Sequence, residues 1–345
     1  MTIRCSDVSG ARLELARRGY CVLTVNDVEA DLAQLAESVW GARWAVTESY
    51  LGGTSSRDVV AGGVFTVNKE PPGLSVTQHS EKTYSNSFPS HIAFYARRSA
   101  DCGGETVLCD NLAVSAGLSK RMRRKLETIG VQYTRRLTDG QRPLAAGEAV
   151  YQTWQKSFET SDRGIVEAAC ASSGDVVVWD SDTGDCTVLS LRPAFAAPPP
   201  GLVPPFAATA AGGGNSRNEL LMNQMFTYHA SHQERVAPGG RPESNTYAPW
   251  LHLPRHMRPY HSRWGDGQEL SSEELAELAV LYWTHSVAVP VQSGEMVLVN
   301  NFWWTHGRMP YSGARDLLVV MARDVARQTD FTPRKVGSGS ARSRI

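Results

Sequence analysis

Missing from this chain are net charge, paired cysteines and long apolar runs, and each absence removes a class of protein. Lysine and arginine number 35 against 35 aspartates and glutamates, so no overall field draws the chain to nucleic acid or to an anionic membrane. Neither partner is expected. No apolar stretch approaches the ~18 residues that a membrane-spanning helix needs. The six cysteines form no Cys-x-x-Cys pair, and the first residues lack the basic-then-apolar pattern of a leader, so a reducing, cytoplasmic setting is the expectation. Cys102 and Cys109 flank Gly103 and Gly104; a disulfide between them stays open, with buried thiols as the alternative. No internal repeat is present.

What remains is an ordinary globular composition, 41% hydrophobic, over 345 residues. That length suits one large β-rich domain or two ordinary ones; we read one, residues 1–326, followed by a basic, polar, disordered tail at 327–345. Loop insertions are expected near 196–218, where Pro198, Pro199 and Pro200 precede Gly212, Gly213 and Gly214, and near 233–263, a stretch rich in Pro, His and Arg. Helical spacing predicts a helix over Val8–Arg18 stopped by Gly19, and a second, capped by Asn26, carrying Val28, Leu32, Leu35 and Val39. A third runs from Asn111 through Leu118, Met122 and Leu126. Ser271 with Glu274 forms a capping box for a fourth. Strands are predicted over residues 19–25, 59–68, 88–96, 106–109, 131–135, 176–179, 287–291, 295–299 and 317–321.

The chemistry gathers at His79-Ser80-Glu81 and, far away in sequence, at His306. Two imidazoles and a carboxylate hold iron(II) on one face and leave the opposite positions open, the facial arrangement of non-haem iron oxygenases. Along a strand, residues i and i+2 share a side, so His79 and Glu81 reach one ion while Ser80 faces away. Such a tripeptide alone is common and weak. His229 and His232, at helical spacing, form a rival pair without an acidic or cysteine partner nearby, and His91 reads as a wall or surface residue.

The surrounding blocks strengthen the first site. His79-Ser80-Glu81-Lys82-Thr83-Tyr84, Gly103-Gly104-Glu105-Thr106, Trp154-Gln155-Lys156-Ser157-Phe158, and His306-Gly307-Arg308 with Gly313-Ala314-Arg315 occur in the order found in the taurine dioxygenase/TfdA superfamily. The chain resembles the branch containing syringomycin aspartyl hydroxylase and clavaminate synthase. That resemblance implies a mainly β fold with flanking helices around a double-stranded β-helix (jelly-roll) core. It implies Fe(II), 2-oxoglutarate and O2 as cofactors, with metal ligands at His79, Glu81 and His306 and the far carboxylate of 2-oxoglutarate on Thr106 and Arg315, a guanidinium matching a carboxylate bidentately. Arg308 is a second candidate for a carboxylate contact, with a structural ion pair as the alternative. Two positions depart from the branch: Ser80 stands where asparagine is usual, and Asn300-Asn301 where aspartate-asparagine is usual.

Candidate substrate contacts are Asn68, Tyr84, Trp154 and Phe158; for Asn68 a turn hydrogen bond, and for the two aromatics of the third block simple core packing, are the alternatives. The resemblance implies oxidation of an unactivated C–H bond of an amino acid or an amino-acid-derived natural-product intermediate. Hydroxylation with release of succinate and CO2 is the default, and desaturation, epoxidation or ring formation the alternatives. Related halogenases carry a small residue in place of the acid ligand, so Glu81 argues against halogenation. A carrier-borne substrate would need a rim for which Arg255, Arg258 and Arg263 are candidates, a solvated lid being the alternative. A non-catalytic jelly-roll binder would have lost a ligand or the clamp, and a zinc hydrolase would have no use for Thr106 and Arg315.

Overall fold

In the computed structural model of the chain, residues 4–25, 31–47, 50, 52–53, 57–67, 70, 72–73, 75–86, 88–144, 152–197, 220–221 and 258–324 are described. The chain opens with β1 (Arg4–Cys5), α1 (Val8–Arg18), β2 (Tyr20–Thr24), α2 (Leu32–Trp40) and β3 (Trp44–Val46). There follow β4 (Val59–Ala61), β5 (Val64–Thr66), β6 (Val76–His79), β7 (His91–Arg98), β8 (Cys102–Gly103) and β9 (Thr106–Asp110). The middle of the chain holds α3 (Asn111–Gly117), α4 (Lys120–Ile129), β10 (Val131–Leu137), α5 (Trp154–Phe158), α6 (Arg163–Ser172), β11 (Val176–Trp179) and β12 (Cys186–Arg192). Last come β13 (Phe195–Ala196), β14 (Leu220–Leu221), β15 (Tyr260–Trp264), α7 (Ser272–Thr284), β16 (Ser286–Val289), β17 (Glu295–Asn300), β18 (Trp304–Arg308), β19 (Tyr311–Ser312) and β20 (Asp316–Asp324).

A sheet in the order β1-β2-β17-β7-β20-β5-β4, with β3 on β20, faces a second sheet in the order β16-β9-β18-β6. Side-chain alternation explains why the central strands are apolar at almost every position. On β7, β17 and β20, one set of residues (Phe94, Val297, Val319) points between the sheets, against Leu108 and Val289 of the smaller one. The other set (Tyr95, Leu298, Val320) packs against α1 and α2. Strands covered on both sides lose the polar alternation of a half-exposed sheet. These paired sheets are the jelly-roll core, and a further sheet, β11-β12-β10-β15, lies beside it.

Local chemistry sets the boundaries. Gly19, at φ 79°, ends α1 in the left-handed conformation that glycine adopts without penalty. The Ser271 and Glu274 capping box is present at α7. Asn26 and Val28 lie outside the described residues; α2 starts at Leu32, where Asp31 accepts from Gln34 N. The helix expected from Asn111 is two, because Asp110 caps the first and Ser119, accepting from Met122 N, starts the second. α6 and β12 were not anticipated. Most of the insertion expected near 196–218 and most of that near 233–263 lie outside the described residues, but the end of the latter is β15, paired with β10. The disulfide left open is not formed: Cys102 is exposed, Cys109 is buried, and both are free. Among the described residues no helix is long and apolar enough to cross a membrane.

Gly307 lets β18 approach β6. A Cβ there would lie 2.4 Å from Val76 O and 3.1 Å from Gln78 N. We expect Gly307→Ala to destabilise the protein by about 1–3 kcal/mol, the cost of overpacking against backbone, read as a lower urea midpoint with an unchanged slope.

Candidate metal and co-substrate site

β6 ends on His79, and β18 runs antiparallel beside it with His306 directly opposite. That register brings the imidazole centroids to 4.5 Å, while Phe94 of the facing sheet sits 5.1 Å from the His306 ring. Glu81 arrives by a different route from the strand alternation expected. β6 stops at His79, and Glu81 stands in the turn beyond it, followed by Lys82 with a left-handed φ of 58°. Asn301 holds this turn: its Oδ1 accepts from Glu81 N at 2.8 Å, and its Nδ2 donates to Pro89 O at 2.7 Å and Glu81 O at 3.3 Å. One ligand atom from each of His79, Glu81 and His306 lies within 4.8 Å of the other two.

The carboxylate is charged and doubly bonded. Tyr50 Oη donates to Glu81 Oε1 at 2.6 Å, and Arg57 Nη2 donates to Oε2 at 3.1 Å in an ion pair whose side chains are 5% and 1% exposed. Burial alone would raise the Glu81 pKa. The Arg57 guanidinium, helped by the two imidazoles, outweighs it and holds the carboxyl well below its ordinary range. His306 Nε2 stands 3.7 Å from Glu81 Oε2, too far for a hydrogen bond. Burial, and next the charge of His306, push His79 down to about 4. Burial, then Arg323, push Lys82 down to about 7.

These residues fit a divalent metal. His79 Nδ1 lies 2.8 Å from Thr77 O; a carbonyl only accepts, so Nδ1 carries the proton and Nε2 keeps a lone pair for an ion. With His79 held neutral and Glu81 held ionised, these two donors are already deprotonated as metal binding requires.

Beside the two histidines opens a pocket whose polar walls are Arg57, Thr106, Arg308 and Arg315. Val76, Phe94 and Leu317 form apolar walls. Thr106 and Arg308 are opposite each other on β9 and β18. Arg308 donates to Glu70 O at 3.1 Å and lies over the Tyr311 ring. Arg315 makes no ion pair with a carboxylate among the described residues; burial, then the like charge of Arg308, bring it down to about 10.

Three of the four candidate substrate contacts fall elsewhere. Asn68 lies outside the described residues. Tyr84 is fully buried with the helical layer of α3, α4 and α7, under the Arg135 guanidinium at 4.8 Å. Trp154 and Phe158 pack with Val166 and Cys170 under α6, Trp154 edge-on to Trp179 at 5.3 Å. Tyr84, Trp154 and Phe158 do not line the pocket. His91 is a core residue between Trp40 and Trp44, pushed down to about 3 by burial and then Arg43. His229, His232 and Arg255 lie outside the described residues; Arg258 is buried, and Arg263 donates to Gln132. Sequence reasoning missed Tyr50, Arg57 and the hold of Asn301 on Glu81. Asn301 had a signal, standing five residues before His306 in the matched block; the other two had none.

Fold and metal face together define a mononuclear iron(II)- and 2-oxoglutarate-dependent oxygenase. The profile of the taurine catabolism dioxygenase TauD, TfdA family matches residues 4–321, and the chain belongs to that family. It is 25% identical over 280 residues to a dapdiamide synthesis protein of Enterobacter agglomerans, covering 81% of this chain and 75% of that one. To a clavaminate synthase-like protein of Arabidopsis thaliana it is 26% identical over 282 residues, covering 79% and 73%. The crystal structure of PvcB from Pseudomonas aeruginosa aligns at 12% identity and a TM-score of 0.44, over 92% of this chain and 79% of that one.

The lowered histidine values set a pH dependence. Unfolded, both histidines titrate near 6.5; folded, His79 does so near 4 and His91 near 3. Between about 4 and 6.5 the unfolded chain binds protons that the folded one does not, so stability of the metal-free protein rises with pH there. We expect His91→Phe to reduce that slope by up to ~1.4 kcal/mol per pH unit, measured by urea unfolding at stepped pH.

Proposed function

We propose that the protein oxidises an unactivated C–H bond of an amino acid or an amino-acid-derived natural-product intermediate by hydroxylation. The observation that carries the co-substrate half of this reading is Arg315, a half-buried guanidinium without a carboxylate partner among the described residues, sharing one pocket with Thr106, His79 and His306. The relative in dapdiamide synthesis supports a small-molecule biosynthetic substrate.

In this reading His79, Glu81 and His306 hold iron(II), and Arg315 with the Thr106 hydroxyl binds the far carboxylate of 2-oxoglutarate. Bound together, the metal, 2-oxoglutarate and O2 supply the oxidant, with succinate and CO2 released. The protein's own part is placement. Val76, Phe94 and Leu317 wall the pocket that holds Arg315, so its attraction for a carboxylate is less screened than at an open surface. Arg308, facing Thr106 across the strands and tied to Glu70 O, adds a second positive charge to the same wall. Arg57 and Tyr50 keep Glu81 ionised and aimed; Asn301 fixes its backbone.

Anaerobic addition of iron(II) and 2-oxoglutarate should give a weak visible charge-transfer band. We expect His79→Ala to abolish it and Arg315→Ala to weaken 2-oxoglutarate binding by ~10–150-fold, the range for losing a charged hydrogen bond. Succinate release across a panel of amino acids then finds the substrate. A wild-type protein that binds neither metal nor 2-oxoglutarate overturns the reading.

A further inference from the structure

Glu81 has a protein donor on each oxygen, and the donor on Oε1 is itself held from a distance. Tyr50 stands just before Gly52 and Gly53, and three contacts fasten that stretch. Gly52 N donates to Ser157 O at 2.6 Å, Ser157 Oγ donates to Gly53 O at 3.0 Å, and Arg135 Nη1 donates to Gly52 O at 2.6 Å. Arg135 and Ser157 are buried, and Asp175 faces Arg135 at 3.6 Å. The Tyr50 ring is also flanked by Arg57 and Lys82, each 4.9 Å from its centroid. The block containing Trp154, Ser157 and Phe158 thus touches the site through a backbone clamp, while its aromatics are core.

We propose that Tyr50 is a positioning residue that reserves Glu81 Oε1 and leaves the metal a single carboxylate oxygen, and that Ser157 and Arg135 hold Tyr50 in place through Gly52 and Gly53. The proposal rests on Glu81 being a metal ligand. Its physical content is a count of positions. Three protein atoms on one face leave three sites, two for a keto acid chelate and one for oxygen. A carboxylate binding through both oxygens takes one of those three. A half-buried phenol donating to Oε1 at 2.6 Å opposes that, because bringing Oε1 onto the metal would break this hydrogen bond, whereas Oε2 already faces His306 Nε2 at 3.7 Å.

The test uses the full chain with Tyr50→Phe and Ser157→Ala, reading three quantities: iron(II) affinity without oxygen, 2-oxoglutarate affinity of the iron-loaded protein from the charge-transfer band, and the melting temperature of the metal-free protein. We expect Tyr50→Phe to bind 2-oxoglutarate about 10–150-fold more weakly, the range for losing one hydrogen bond to a charged group, with iron(II) affinity held within about threefold. Ser157→Ala should shift 2-oxoglutarate the same way by about three- to tenfold, acting at one remove. If Tyr50→Phe does not fold, Ser157→Ala decides alone. A lower melting temperature with an unchanged band in every folded variant overturns the proposal and leaves Tyr50 a structural residue. A wild-type protein without the band fails the parent reading instead, a result distinct from a wild-type band that Tyr50→Phe leaves untouched.

Discussion

A carboxylate at 1% exposure has to stay ionised before any metal reaches it, and much of the surrounding structure meets that demand. Burial favours the neutral acid. Arg57 opposes it with a nearly inaccessible guanidinium at 3.1 Å, and Tyr50 adds a short neutral hydrogen bond. Removing one member of a buried ion pair costs about 3–5 kcal/mol, because the survivor is left charged and dry. The turn carrying Glu81 is fixed independently, by three hydrogen bonds between the Asn301 side chain, which accepts one and donates two, and backbone groups of Glu81 and Pro89.

The histidines answer to a different constraint, the strand register. His306 faces His79 because β18 pairs with β6, and the pairing is close because residue 307 has no side chain. Both histidines and Glu81 were legible in sequence, since ligand chemistry leaves few residue types to choose from and the flanking blocks identify the strands. The central strands were legible too, as continuous apolar runs at β7, β17 and β20. Tyr50 and Arg57 were not: they reach Glu81 from 31 and 24 residues away, out of a segment without periodicity. Helix α6 escaped for a related reason, since only Val166 and Cys170 of its residues are buried and its apolar signal is thin.

Tyr84, Trp154 and Phe158 show the other limit. A sequence block says that a large aromatic is needed, and the physics says that it will be buried; neither says against what. Here Trp154 and Phe158 seal α5 to α6, and Tyr84 joins the helical layer under Arg135. Asn111 opens α3 as its sequence context suggested, with Asp110, still on β9, in the capping role, accepting from Leu112 N and Ala113 N.

The three ligand side chains are assembled by sheet pairing and backbone hydrogen bonds, so little of their placement waits on an ion. Such a rigid oxygen-and-nitrogen cradle selects poorly between metals of similar size. Cobalt, nickel and zinc stand above iron(II) in the usual affinity order for sites of this kind, and nothing in the set His79, Glu81 and His306 reverses that order. By that order, the supply of iron(II) relative to the other divalent metals in the surroundings would set how much of the protein carries iron.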